Sequence, residues 1–202
     1  IVLAIRQRIR DEGFTTIGEW CEYMFLPGIF KRIHIENPEY GAPYYTGASL
    51  FWLEPLPKAI LSRKTSLFSE VQIKEGMILV QAFGQEGGLT GRAVWVGQHL
   101  NDATTTHMLV RLIVPDLIRA AFLFGYLQSE TAYRQIACLT YGGSIPHLDE
   151  HLLASVLMPN FKSDEIMDIG THIIGALNSR DRALSLEIEA RALVEHTIEG
   201  FA

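Results

Sequence analysis

The stretch SDEIMDIGTHIIGALNSRDRALSLEIEARALVEHTIEG, residues 163–200, decides how the rest of the chain is arranged. It contains no proline, and only Gly170 and Gly175 interrupt it before its last residue. Ser163 is suited to an N-cap, and the acidic residues that follow it favour a helix start because the helix dipole is positive there. The sequence therefore predicts one long helix over this whole stretch.

This predicted helix carries a regular apolar stripe. Its members, spaced by 7, 4, 7 and 4 residues, are Ile166, Ile173, Leu177, Leu184 and Ile188. An 11-residue repeat favours straight or slightly right-handed packing against another helix. At about 1.5 Å per residue the helix would reach roughly 50 Å, more than a body of this size can cover. We therefore expect the stripe to face a partner helix, with packing along its own domain as the alternative.

The rest of the chain predicts a leading helix and a mixed, mostly β body. Apolar and basic residues alternate at helical spacing before Gly13. Short β-branched and aromatic runs, separated by turn residues, predict strands at 32–35, 59–61, 77–81, 93–96 and 108–114. A buried helix is expected over 116–131, ending near Ser129, and a short helix or turn over 147–155. The fold class is thus α/β in the α+β sense, a mostly β globule followed by a long helical arm.

Composition is that of an ordinary globular protein. Of the 202 residues, 48% are hydrophobic and 20% are charged, which excludes disorder, collagen and a disulfide-stapled scaffold. No apolar run approaches the roughly 18 to 20 residues of a membrane span, and the apolar opening is too short for a signal peptide. Cys21 and Cys138 are distant in sequence, so two buried thiols in a reducing cytoplasm are expected. The chain begins with Ile instead of Met, which suggests a fragment or a processed product.

The net charge of −6 argues, for the whole chain, against a nucleic-acid binder. Its distribution is uneven, because residues 24–64 carry five basic and three acidic residues, whereas residues 151–202 carry four basic and eight acidic residues. These values leave a net charge of +2 on the first segment and −4 on the second. Side chains of the types that hydrogen-bond to bases or stack on them lie within this basic segment and after it. They are Tyr44, Tyr45, Gln81, Gln85, Gln98, Asn101, Thr104, Thr105 and Thr106.

His147-Leu148-Asp149-Glu150-His151 matches the H-x-x-E-H pattern of inverted zinc peptidases. In such enzymes two histidines on one helix face hold the metal, and the glutamate polarises its bound water. The pattern makes a metal-dependent hydrolase the alternative function. Pro146 places the motif at a helix start and no acidic third ligand is apparent, so a surface helix start is the preferred interpretation.

Other sequence motifs do not predict catalysis. Residues 37–40, NPEY, differ at one position from the N-P-P-Y loop of amino-methyltransferases, and the glutamate favours an ordinary turn. No lysine has an acid two positions before it, which excludes nucleases of the D…(D/E)-x-K type. The glycine-rich stretch 84–92 lacks the Gly-Lys-Ser/Thr of a P-loop, so we expect a flexible loop that presents Arg92.

Several loose motifs follow one another in an order typical of a known family. They are GIFKR at 28–32, GAPYYTG at 41–47, KEGMILV at 74–80, the glycine-rich stretch at 84–92, THMLVR at 106–111, YGGSIPHL at 141–148 and MP at 158–159. With the long helix behind them, they resemble the specificity (S) subunit of type I restriction-modification systems. The resemblance covers nearly the whole chain after residue 13.

This resemblance implies a leading helix at 1–13, a DNA target-recognition domain at 14–160 that reads half of a bipartite site, and a dimerisation and spacer arm at 161–202. Family members usually carry two such units, and this chain carries one. The implied protein is a non-catalytic subunit that recruits methyltransferase (M) and restriction (R) subunits. S-adenosylmethionine, ATP and Mg²⁺ are expected on those partners, with no cofactor or metal on this chain.

Two sets of residues are predicted to make these contacts. The candidates for contact with double-stranded DNA are Lys31, Arg32, Tyr44, Tyr45, Lys58, Arg63, Lys64, Gln81, Gln85, Arg92, Thr104 and Thr105. The apolar stripe from Ile166 to Ile188 would bind the helix of a second copy or a second half of the subunit. A scaffold in which only the long helix matters is a third possible function.

Overall fold

The computed structural model describes residues 1–85 and 87–200, and the predicted α+β class is confirmed. The helices are α1 (Val2–Glu12), α2 (Ile17–Trp20), α3 (Phe68–Val71), α4 (Leu117–Leu127), α5 (Glu130–Ala137), α6 (Glu150–Ala154) and α7 (Ser163–Glu199). The strands are β1 (Phe14–Thr16), β2 (Tyr23–Phe25), β3 (His34–Ile35), β4 (Gly41–Tyr45), β5 (Ala59–Ser62), β6 (Ile78–Gln81), β7 (Ala93–Trp95), β8 (Thr104–Thr105), β9 (Leu109–Ile113) and β10 (Leu157–Pro159). Short 3-10 turns lie at Pro38–Tyr40, Ser49–Phe51 and Gln98–Leu100.

Two larger sheets build the body within the described residues. The first has the strand order β2-β9-β6-β7 and is antiparallel throughout. The second has the order β3-β5-β4-β8, in which β4 and β8 run parallel. A short antiparallel pair, β1 with β10, joins the segment after α1 to the segment before α7. The two ends of the body therefore lie side by side where the arm begins.

The main hydrophobic core lies between the first sheet and helices α2, α4, α5 and α6. Ile78 on β6 and Leu112 on β9 are paired neighbours, and both are fully buried, as is Leu123 on α4. Trp20 stacks on Phe122 with ring centroids 5.4 Å apart. Because β6 is buried at every position, its first three residues form a continuous apolar run in the sequence instead of an alternating one, and only Gln81 at its end is polar.

The first half of α7 packs against α4. A Cβ on Gly170 would stand 2.5 Å from the carbonyl oxygen of Ile118, so only a glycine lets the two helices approach this closely. Gly125 on α4 makes the reciprocal contact, with the side chain of Ile173. This close approach holds the arm against the body over several helical turns.

The structure corrects the expectation that the whole apolar stripe faces a partner helix. The body itself covers Ile166, Ile173 and Leu177, and Leu184 is only 5% exposed. The length of the helix does not predict how much of its stripe is exposed, because α4 and the turn at Gln98–Leu100 both pack against the arm. Of the stripe, Ile188 remains 55% exposed. The predicted cap is also displaced, since Ser163 is the first helical residue and Lys162 precedes the helix.

Other local predictions need smaller corrections. The helix expected over 116–131 ends at Leu127, and Ser129 caps a separate helix, α5, by accepting the backbone N–H of Ala132. The strand expected over 32–35 is reduced to its last two residues. Cys138 is exposed, whereas Cys21 is partly buried and burial raises its pKa to about 12. Within 1–85 and 87–200, no helix is both long and apolar enough to cross a membrane.

Candidate nucleic-acid interface

A cleft of about 390 Å³ opens beside β3 and β4 on the second sheet. Its walls come from four separate segments of the chain, and its lining residues are Arg32, His34, Tyr44, Thr46, Gly47, Lys58, Thr106 and Met108. It brings together three of the predicted DNA-binding residues, Arg32, Tyr44 and Lys58. This cleft, called the Arg32 cleft below, is the structural candidate for a nucleic-acid contact.

The guanidinium of Arg32 is held at the wall of this cleft. Its Nε donates a hydrogen bond to the Tyr44 hydroxyl at 2.7 Å, and its Nη2 donates to Oγ1 of Thr106 at 3.4 Å. The guanidinium carbon lies 5.5 Å from the ring centroid of Phe30 and 5.6 Å from that of Tyr44. Tyr44 is 3% exposed, so the core fixes the hydroxyl that orients this exposed arginine.

Two further basic residues, which the sequence patterns did not single out, lie near the cleft. Arg111 on β9 is completely buried and donates to the carbonyls of Leu109 at 2.5 Å and Thr106 at 3.0 Å. Burial lowers its pKa to about 9. The pKa of His107 is lowered by burial and then by the charges of Arg32 and Arg111. His107 therefore favours its neutral form more strongly than a free imidazole does. The signal for Arg111 in the sequence was a charge inside an apolar strand run.

Gln81 lies behind the cleft and is largely buried. Its Nε2 donates to the carbonyl of Phe83 at 2.8 Å. Its Oε1 has no hydrogen-bond partner among the described residues and stands 2.7 Å from where a Cβ on Gly47 would be. Because Gly47 lines the cleft, the amide of Gln81 lies behind this wall residue and does not project into solvent.

The predicted contacts of Thr104, Thr105 and Tyr45 with DNA are corrected by the structure. Both threonines are fully buried, and their hydroxyls donate to the carbonyls of Pro43 and Tyr45 at 3.0 Å, which ties β8 to β4. Tyr45 follows Tyr44 on β4 and so points to the opposite face of the sheet. There it is buried and lines a different cleft, of about 380 Å³, against α7. None of the three side chains is open to a duplex.

Arg63 and Lys64 are exposed and line a second cleft, of about 550 Å³, on the other side of β3. The two clefts flank this strand because Arg32 and His34 point to one side, whereas Ile33 and Ile35 point to the other. The guanidinium of Arg63 lies 5.6 Å from the Phe68 ring centroid. Lys31, just before Arg32, is also exposed. The basic residues of 24–64 are therefore spread over a broad face around β3.

The glycine-rich loop lies next to this face. Phe83, which directly precedes the loop, lies near two histidine rings. Its ring centroid is 6.3 Å from that of His107 and 5.7 Å from that of His147. Gln85 in the loop is exposed, and Glu86 lies outside the described residues. Arg92 is exposed, and its guanidinium lies 3.6 Å from the Tyr133 ring centroid, on the side of α5.

The H-x-x-E-H pattern does not form a zinc-peptidase helix. Helix α6 begins at Glu150, and Asp149 caps it by accepting the Leu152 N–H at 2.7 Å. His147 precedes the helix and pairs with Tyr141 through backbone hydrogen bonds, so it does not share a helix face with His151. Across the described parts of the chain, no group of three His, Cys, Asp or Glu residues is placed to hold a metal ion. The geometry required by the hydrolase alternative is absent there.

Comparison with solved structures identifies the fold. The chain is similar to the HsdS subunit from Thermoanaerobacter tengcongensis, with a TM-score of 0.55 and 14% identity over 90% of this chain and 45% of that one. It is also similar to a chain of the type I R-M system, with a TM-score of 0.54 and 13% identity over 97% of this chain and 54% of that one. No protein-family model and no curated protein matches the sequence. The resemblance inferred from the ordered motifs is thus confirmed as the fold of a specificity subunit, and the chain spans about half the length of these solved chains.

Proposed function

We propose that this chain, which has the fold of type I specificity subunits, binds double-stranded DNA and reads one half of a bipartite site. The observation that carries the proposal is the Arg32 cleft, where an arginine oriented by a buried tyrosine lies beside Lys58. Residues 14–160 would be the target-recognition domain, with 1–13 as a leading helix and 161–202 as the arm. The chain itself would be non-catalytic.

The charge distribution supports DNA contact by the face around β3. None of the five basic residues of 24–64 forms an ion pair within the described parts of the chain. Their charges are therefore available for contacts with phosphates, which supply nearly all of the non-specific affinity of proteins for DNA and a large share of the specific affinity. The acidic arm is suited to protein contacts instead. A body with a small basic face can read a duplex when larger partners provide most of the phosphate contacts.

The partners proposed for the arm and body are those of a type I complex. Methyltransferase and restriction subunits would carry S-adenosylmethionine, ATP and Mg²⁺ and perform DNA methylation and cleavage in the cytoplasm. A second copy or second half of the subunit would pack on the end of α7 in a coiled-coil-like pair. That end exposes Leu186, Ile188, Leu193, Val194 and Ile198, each by more than half.

DNA recognition is tested by selection from a pool of random duplexes, using the chain together with its methyltransferase partner. We expect enrichment of one defined half-site. On the selected duplex, Lys31→Ala and Lys58→Ala should each reduce the slope of log affinity against log salt by about 0.9. Arg182→Ala, on the exposed face of the arm, is the matched control and should leave the slope unchanged. An unenriched pool, or an affinity that does not depend on salt, refutes the proposal.

Pairing through the arm is tested by light scattering, which measures the mass in solution. Ile188→Asp and Leu193→Asp change side chains that are 55% and 68% exposed in the single chain, so the fold should survive. We expect both variants to have half the mass of the unmodified protein. Leu184→Asp is unsuitable for this purpose because that side chain is buried within its own body. A mass that does not change in either variant contradicts pairing through this end of α7.

A further inference from the structure

We infer that Arg32 reads a base and not a phosphate, by presenting two N–H donors to the O6 and N7 acceptors of a guanine in the major groove. Tyr44 acts as the positioning residue that sets the plane of the guanidinium. This inference rests on the proposed function, because it names the chemical group that the Arg32 cleft recognises. It distinguishes Arg32 from the other basic residues of the same face.

The hydrogen-bonding capacity of Arg32 is only partly used within the chain. A guanidinium has five N–H donors. Tyr44 accepts the Nε hydrogen and Thr106 accepts one from Nη2. The remaining three donors, including both on Nη1, have no acceptor among the described residues. Two parallel donors are what the O6 and N7 pair of guanine requires.

The fixed orientation of this guanidinium favours a base over a phosphate. A guanidinium can also bind a phosphate through two hydrogen bonds, but a phosphate accepts from many directions and does not require a fixed donor plane. The two guanine acceptors lie in one plane at a fixed spacing and do require one. The Tyr44 hydroxyl is anchored by a buried side chain, and Phe30, also buried, lies beside the guanidinium. Such a rigid support restricts the plane of a side chain that is otherwise exposed to solvent.

The charge of Arg32 is not neutralised by a carboxylate. Arg134 and Arg191 pair with Glu130 and Glu54, but no acid in 1–85 or 87–200 lies within ion-pair distance of Arg32. A neutral tyrosine hydroxyl orients the guanidinium and leaves its full charge for the guanine acceptors. Lys58 lines the same cleft without a side-chain hydrogen bond to the described residues, which suits it to a neighbouring phosphate.

The test compares Arg32→Lys, Tyr44→Phe and Lys58→Ala on the selected duplex and on a series in which each guanine of its half-site is replaced in turn. For Arg32→Lys, which keeps the charge, discrimination at one G·C pair should fall by about 5- to 150-fold, while affinity for unrelated DNA changes little. Tyr44→Phe keeps the buried ring and should weaken discrimination at that same pair. Lys58→Ala should weaken binding to all duplexes by the same factor.

The outcomes separate this inference from the proposed function. If Arg32→Lys discriminates at every pair as the unmodified chain does, or if the selected half-site contains no guanine, Arg32 is not a base reader, although DNA recognition stands. If Tyr44→Phe leaves discrimination unchanged while Arg32→Lys abolishes it, the positioning role of Tyr44 is wrong. If the unmodified complex selects no sequence at all, the proposed function fails and this inference fails with it.

Discussion

Replacing Gly170 with alanine should destabilise the protein, although alanine is the better helix former. Gly170 lies on α7 against α4, where a new Cβ would stand 2.5 Å from both the carbonyl oxygen and Cγ2 of Ile118. A side chain can rotate away, but a backbone carbonyl cannot, so one of the two helices must move. Gly175, on the same helix, is the matched control because, among the residues described, no atom beyond the adjacent backbone of its own helix lies within 4 Å of its added Cβ.

The magnitude follows from two opposing terms. Both substitutions gain about 1 kcal/mol of helix propensity. At Gly175 nothing opposes this gain, so Gly175→Ala should raise the free energy of unfolding by about 0.5–1 kcal/mol. At Gly170 the overpacking costs about 1–3 kcal/mol. Since propensity cancels between the two variants, their free energies of unfolding should differ by about 1–3 kcal/mol.

Urea denaturation measures this difference directly, and thermal unfolding followed by circular dichroism gives a second estimate. For a chain of this length, about 1 kcal/mol corresponds to roughly 2–4 °C in the midpoint. We therefore expect Gly170→Ala to melt roughly 2–12 °C below Gly175→Ala. Equal midpoints would refute the close packing of α7 on α4, and with it the conclusion that the body covers the first part of the apolar stripe.

Further predictions concern the contact between body and arm and the two thiols. Asp181 on α7 accepts the Gln98 backbone N–H at 2.7 Å and contacts Nδ1 of His99 at 2.9 Å. Asp181→Ala should lower the free energy of unfolding, measured by urea denaturation, by about 1–3 kcal/mol. Asp181→Asn keeps one acceptor and should lower it by less. An alanine variant of unchanged stability contradicts this prediction. Near pH 8 a thiol reagent should label Cys138 quickly and Cys21 only after unfolding, because burial raises the Cys21 pKa to about 12 and keeps its thiol protonated. Fast labelling in a Cys138→Ser variant would show that Cys21 is accessible.

The elements predicted best are those set by local patterns. Helix α7 extends from Ser163 to Glu199 because the absence of proline and the acidic first turn act within the helix itself. Strands β6 and β9 were recognisable because burial on both faces produces runs that are apolar except for Gln81 and Arg111. Helix α5 was missed because it follows α4 after a break of only two residues, and that break depends on Ser129 capping a new helix.

The candidate site was less predictable because residue type does not reveal where a side chain points. Thr104 and Thr105 are hydroxyl residues of a kind that contacts DNA, yet their pairing with β4 directs both hydroxyls to backbone carbonyls. Tyr44 and Tyr45 are adjacent and chemically identical, but successive side chains of a strand point to opposite faces. Tyr44 therefore lines the Arg32 cleft, whereas Tyr45 lines the cleft against α7. The sequence shows which residues are basic, but it does not show which of them line the same cleft.

By itself the sequence determined the α+β class, the position and length of the arm, and an order of motifs typical of specificity subunits. These properties depend on spacing and capping among residues that are neighbours in the chain. Only the tertiary structure decided which part of α7 is covered and which arginine is held in place. Those features depend on contacts between distant residues, such as Arg32 with Thr106 and Gly170 with Ile118. No local pattern encodes such contacts, because they form only when the sheets and helices pack together.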